Sequence, residues 1–236
     1  MKDRAVTTTI SAADASASRG GTLLVPKQVQ FREISYASCY VYSPGDASAA
    51  SRLLCASVKT GNVAALVDQA FDTEDDAQQS PSIARFFPAA AILVPVPGSR
   101  LSRRRAATPT ERLAVALLEQ GLGLGIWFGL RRVRTVRKSA TAVPGARTSV
   151  RTHYDTMAVD NASVPCASNV ILVDDVVTRG RTLLAAALRL REALPRADVR
   201  AFALVRTMGY SPVPDQLLMP CTGKIEWKCD DARRSP

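Results

Sequence analysis

The chain has 236 residues, 47% of them hydrophobic but only 6% aromatic, which suits one domain with additions and a core built mainly from Val, Leu, Ile and Ala. Its formal net charge is +10, from 31 basic and 21 acidic residues; this fits either solvated surfaces or a polyanionic partner (a diphosphate, a nucleotide or a nucleic acid) without choosing between them. No apolar run approaches the ~20 residues of a membrane helix and no apolar signal segment follows the basic start, so no membrane partner is expected and the expected location is cytoplasmic.

Residues 1–31 are rich in Ala, Ser, Thr and Gly with little periodicity, and are expected to be largely disordered, with a short ordered piece over Leu23–Val29. Ile34–Tyr42 reads as a strand and Pro44-Gly45 as a turn. Asp46 is placed to cap a helix running to about Lys59, with Ala50, Leu53, Leu54 and Val58 facing inward. Gly61 stops that helix, a second is expected over Val63–Phe71, and the acidic stretch Asp72–Gln79 reads as an exposed loop.

Ala89–Val96 reads as a strand buried on both faces, running into Pro95-Val96-Pro97-Gly98-Ser99. The prolines stiffen this loop, with cis or trans both open at each X-Pro bond, and Gly98 frees the backbone to approach a ligand. Arg100, Arg103, Arg104 and Arg105 follow, as phosphate contacts or as a solvated basic loop. Pro109 and Thr110 open a helix with Leu113, Ala116, Leu117 and Gln120 at helical spacing. Gly121 to Gly125 imitates a dinucleotide loop but follows a helix rather than a strand, so it reads as a helix stop before a strand over Ile126–Leu130. Arg131 to Asp160 is the least regular stretch, basic and weakly apolar, and suits a lid or a mobile surface loop.

Asn169 to Leu184 (NVILVDDVVTRGRTLL) is the most informative segment. An unbroken apolar run, Val170 to Val173, suits a parallel strand covered on both faces. It meets Asp174 and Asp175, then a turn containing Thr178, Gly180 and Thr182, then a helix with Leu183, Ala187, Leu190 and Leu194 in phase, ended by Pro195. A loop leading from such a strand into a helix N-terminus is a ready phosphate site, because its N–H groups and the helix dipole favour an anion. Two adjacent carboxylates repel one another and need a different partner, such as vicinal hydroxyls or a divalent cation. A phosphate with a ribose diol a few ångströms away satisfies both. Asp198–Arg206 then reads as a parallel strand, Thr207 to Tyr210 closes the core, and the tail Ser211–Pro236 holds a short strand over Lys224–Lys228. Five cysteines with no C-x-x-C pair, and one histidine, His153, argue against a structural zinc site and for reduced thiols.

The run VILVDDVVTRGRTLL resembles the phosphoribosyl diphosphate (PRPP) signature of type I phosphoribosyltransferases, and is most similar to their ComF-like, competence-associated members. The VPVP loop at Val94 to Pro97 is similar as well, and the resemblance covers roughly Ala89 to Arg206. It implies a Rossmann-like α/β fold, a mostly parallel sheet flanked by helices with a flexible hood, over residues 32–210, with the hood near 131–160 and a tail at 211–236. It implies that Asp174 and Asp175 hold the ribose hydroxyls and meet Mg²⁺ indirectly, through PRPP or water. Thr178, Arg179, Gly180, Arg181 and Thr182 would wrap the 5′-phosphate, and Pro95, Val96, Pro97, Gly98 and Ser99 the diphosphate. Arg134, Lys138, Ser139 and Arg147 resemble hood residues, and Lys59 resembles a Lys-x-Gly position near the diphosphate. Arg179 and Arg181 stand where Thr and Ala are commoner, and the ComF-like N-terminal module of paired cysteines and the Arg-Gly-Phe-Asn segment are not seen.

The expected function is therefore Mg²⁺-dependent transfer of a phosphoribosyl group from PRPP to a nitrogenous base or amine, with a homodimer left open. The Thr178 hydroxyl is no general base at neutral pH, which leans away from hypoxanthine-type salvage, where the family places an Asp. The alternative is a non-catalytic relative that senses PRPP or a nucleotide, or binds single-stranded DNA through its arginine clusters in uptake or regulation.

Overall fold

A computed structural model of the chain describes residues 33–43, 48–71, 83–101, 106–136, 148–209, 217–229 and 231–236, all within the unit Phe31–Pro236. The expectations for residues 1–31, Asp46, Asp72–Gln79, Arg103 to Arg105, Lys138, Ser139 and Arg147 lie outside the described residues. In chain order the strands are β1 (Glu33–Tyr42), β2 (Ala91–Pro95), β3 (Gly125–Ile126), β4 (Leu130–Arg132), β5 (Met157–Val159), β6 (Asn169–Val177), β7 (Asp198–Thr207), β8 (Leu218–Lys228) and β9 (Asp231–Ser235). The helices are α1 (Ala49–Thr60), α2 (Ala64–Phe71), α3 (Pro109–Glu119), α4 (Val150–Asp155) and α5 (Arg181–Ala193). None of the described helices is long and apolar enough to cross a membrane.

The fold is α/β. A seven-stranded mixed sheet has the order β3-β2-β6-β7-β1-β8-β9, and β4 and β5 form a separate antiparallel pair. The first five strands of that order run parallel, while β8 is antiparallel to β1 and β9 to β8. β6 is the middle of the five parallel strands, and its continuous apolar run is what two covered faces require. Val170 and Leu172 join a cluster with Val94, Leu183 and Leu190, while Ile171 and Val173 join the opposite cluster with Leu93, Leu113 and Phe202. Helices α1, α2 and α3 cover the second face and α5 the first. α5 is in turn covered by α4, which explains why Leu183 to Ala187 are all fully buried: the helix is enclosed on both sides.

Local signals account for the helix ends. Thr108 accepts from Glu111 N–H and Glu111 accepts from Thr108 N–H, a complete capping box with Pro109 at the first turn of α3. Gly61, at φ 73°, closes α1 with its N–H on the Val58 carbonyl. The cap of α1 is Ser48, whose hydroxyl accepts from Ser51 N–H at 3.1 Å. The inner face of α1 also differs from expectation: Ser51, Leu54 and Val58 are buried, and Leu53 is 68% exposed.

Three further differences bear on the site. The strand expected over Ile126–Leu130 divides, because Trp127 turns inward against Gly129 and the chain leaves the main sheet to pair β4 with β5. The described part of Arg131 to Asp160 is largely regular: α4 and β5 sit on α5, and β4 pairs with β5. The tail belongs to the sheet, since β8 pairs with β1 from Glu33 to Tyr40 and β9 completes a hairpin. No described peptide bond is cis, which answers the question left open at Pro95 and Pro97.

Candidate functional site

Strands β2 and β6 are neighbours whose following helices leave in opposite directions: α3 crosses one face toward β3, and α5 crosses the other toward β7. Crevices in parallel sheets open at such points, beyond the carboxyl ends of the strands. The β2 end is tied to β6 by Val96 N–H to the Val173 carbonyl at 2.8 Å, and to α3 by the Thr110 hydroxyl on the Val96 carbonyl at 3.0 Å. The Pro95–Ser99 loop and the Asp174–Thr182 segment therefore emerge side by side.

Asp174 and Asp175 are half-buried in the last half of β6, just past its pairing with β2. Dense packing around the Asp174 carboxyl pushes its pKa well above the ordinary carboxylate range; the charge of Asp175 and a hydrogen bond between the two carboxyl groups add to the rise. Asp175 N–H, which donates to Asp174 Oδ1 at 3.0 Å, and the Arg132 guanidinium pull the other way. Val176 N–H donates to Asp175 Oδ1 at 2.8 Å. Hydroxyl donors or a cation placed against Asp174 would offset that rise. As a metal site it offers two hard oxygens side by side, with no third acid, histidine or cysteine completing a cluster among the described residues. That set fits Mg²⁺ bound largely through water and ligand phosphates rather than in a protein cage.

The following turn enters α5 through Gly180, whose φ is 84°. Glycine has no side chain to cap the first turn, so the N–H groups at the start of α5 are left for another acceptor. Thr178 is exposed and Thr182 half-buried. Both arginines of the turn are engaged by Asp231 of β9: Arg181 Nε and Nη2 bind it as a fork at 2.5 Å each, and Arg179 Nη1 lies at 3.2 Å. Ile225 of β8 packs where a Gly180 Cβ would stand. The carboxyl-terminal hairpin therefore backs the turn, and Arg179 and Arg181 reach their anion within the chain.

Arg132 and His153 are the buried ionisable groups that join these parts. Arg132 is 7% exposed and donates to the Gly98 carbonyl at 3.0 Å, the Pro97 carbonyl at 3.4 Å and the Thr156 hydroxyl at 2.7 Å. Burial lowers its pKa to about 10, against the attraction of Asp174. His153 on α4 is held neutral: burial, then the charges of Arg132 and Arg181, lower its pKa to about 4. Its Nδ1 is buried without a partner.

Of the hood residues expected from sequence, Arg134 is described; it is exposed and donates to the Asp155 carbonyl at 2.9 Å, on the outside of the β4–α4 unit. Lys59 is exposed in the last turn of α1, and Arg100 is exposed beside the loop. Two cavities lie elsewhere, one of ≈ 370 Å³ bordered by Tyr40, Leu53 and Gln69 and one of ≈ 450 Å³ bordered by Gly61, Arg112 and Phe128. Sequence reasoning passed over Arg132, His153 and Asp231 as site residues. Arg132 had a faint signal: it follows Leu130 at strand spacing and so shares its buried face. Asp231, fifty positions beyond Arg181, had none.

No protein-family model matches the chain, and no curated protein matches it.

Proposed function

We propose that the chain is a Mg²⁺-dependent phosphoribosyltransferase of the Rossmann-like type I kind, acting on PRPP and an unassigned nitrogenous acceptor. The observation that carries this reading is the adjacent pair Asp174–Asp175, in β6 just past its last pairing with β2 at Val173, on the strand whose turn Thr178–Gly180 leads into the uncapped first turn of α5. The carboxylates accept from the ribose hydroxyls, which offsets their mutual repulsion. The first-turn N–H groups of α5, with the hydroxyls of Thr178 and Thr182, hold the 5′-phosphate. Because Asp231 occupies Arg179 and Arg181, the phosphate is read by backbone and hydroxyl groups rather than by those guanidiniums. The Pro95–Ser99 loop faces the diphosphate. Bound Mg²⁺ supplies charge neutralisation on the leaving diphosphate.

In the reaction the C1–oxygen bond to diphosphate breaks, a C1–nitrogen bond forms, and the acceptor nitrogen loses a proton. The chain contributes chiefly by positioning and by excluding water.

Calorimetric titration with PRPP, with and without Mg²⁺, tests the reading. Micromolar binding that Asp175→Asn weakens at least about 30-fold supports it, a loss of about 2 kcal/mol on the scale of one tenfold step per 1.4 kcal/mol. Absence of PRPP binding together with salt-dependent binding of single-stranded DNA would move the assignment to the non-catalytic alternative. Within the basic stretch Arg131 is paired with Asp160 and Arg151 with Asp155, which leaves Arg134 as the exposed arginine there without an acidic partner among the described residues.

A further inference from the structure

The geometry around Arg132 concerns the loop between β2 and α3. Its guanidinium makes four hydrogen bonds, all to uncharged acceptors: the Pro97, Gly98 and His153 carbonyls and the Thr156 hydroxyl. The peptides of this loop are trans. In a trans peptide the C=O and the N–H that follows it point in opposite directions. Drawing the Pro97 and Gly98 carbonyls onto Arg132 therefore turns the N–H groups of Gly98 and Ser99 away from it, on the same side.

Consecutive carbonyls on one side are not strand geometry, where they alternate. They make a concave pair of N–H donors, the arrangement that binds anions elsewhere in proteins. No described residue accepts from either N–H. A Cβ built on Gly98 meets no atom within 4 Å, so the backbone there borders open space. The other half of the guanidinium is anchored on Thr156 at 2.7 Å, and that hydroxyl donates to the Thr152 carbonyl at 2.6 Å, so the loop is braced against the end of α4.

We propose that Arg132 is the positioning residue of this site: by holding the Pro97 and Gly98 carbonyls it aims the Gly98 and Ser99 N–H groups at the ligand's diphosphate. This rests on the phosphoribosyl reading for the ligand, and on geometry alone for the loop. Arginine is required because its planar fork reaches three carbonyls and a hydroxyl in fixed directions, which a lysine ammonium cannot reproduce.

The test uses the full chain with Arg132→Lys, and with Thr156→Val, which removes the far anchor without touching the loop. The probes are inorganic diphosphate with Mg²⁺ and, separately, ribose 5-phosphate. Arg132→Lys is expected to weaken diphosphate at least about 10-fold, as loss of an orienting outer-shell partner does at metal sites, and to leave ribose 5-phosphate within about 2-fold. Thr156→Val is expected to weaken diphosphate by a smaller factor, again selectively, and it carries the comparison if Arg132→Lys fails to fold. Equal losses on both probes, or on neither, would overturn the proposal. If the wild-type chain binds neither probe, the phosphoribosyl reading fails by itself. The loop geometry is then decided by the Gly98 and Ser99 amide resonances, which should move in Arg132→Lys; unmoved resonances would refute the positioning role.

Discussion

Replacing Gly180 with alanine tests how the turn before α5 is built. The backbone there has φ 84°, a left-handed conformation that costs an L-residue about 1 kcal/mol. The new Cβ would stand 2.6 Å from Ile225 Cγ2, 2.7 Å from Cδ1 and 2.9 Å from Cγ1. Ile225 is fully buried and β-branched, so it has little room to turn aside. Overpacking of this kind costs about 1–3 kcal/mol, for a sum of about 2–4 kcal/mol. In a chain of this size that lowers the melting midpoint by about 10 °C. The assay is urea unfolding followed by the fluorescence of Trp127 and Trp227, run as a double-mutant cycle with Ile225→Ala. In the Ile225→Ala background, Gly180→Ala should cost only the backbone part, about 1 kcal/mol, leaving a coupling of about 1–3 kcal/mol. A coupling below about 0.5 kcal/mol would show that the hairpin does not press on the turn.

His153 gives a pH signature. Its folded pKa is lowered to about 4, so between about 6.5 and 4 the unfolded chain takes up a proton that the folded chain refuses. Stability should therefore fall as pH drops through that window, by at most about 3 kcal/mol, and His153→Gln should flatten the profile there; identical profiles for both chains would contradict the burial argument. Asp231→Asn should lower stability by about 1–2 kcal/mol, because it breaks a forked, half-buried ion pair with Arg181. The deficit should shrink in about 1 M salt, and equilibrium unfolding at two salt concentrations measures it. Asp175→Asn should fold normally in circular dichroism while losing PRPP affinity as stated above, which separates a ligand role from a structural one.

Much of the fold was legible because β6 and α5 carry local physical constraints. An apolar run without alternation has to lie between two layers, and the leucines and alanines after Gly180 repeat at helical spacing. Pro109 marks the start of α3 in the same way, while the capping box of Thr108 and Glu111 is seen only in the structure. The inner face of α1 was not legible to the same degree: Leu53 was expected inward, but the helix meets α3 and buries Ser51, Leu54 and Val58 instead. The strand expected at Ile126–Leu130 looked continuous because nothing local shows that Trp127 folds back on Gly129.

The sequence by itself determined that a buried strand carrying two acids leads through a glycine turn into a helix, since those residues are contiguous and their conformations are set by neighbours. Only the tertiary structure decided which charges meet. It places Arg132 on the Pro97 and Gly98 carbonyls, His153 within the field of Arg132 and Arg181, and Asp231 on the turn fifty residues upstream of it. Such pairings are made when the sheet and its helices close, at sequence separations where no local periodicity or propensity records the partner.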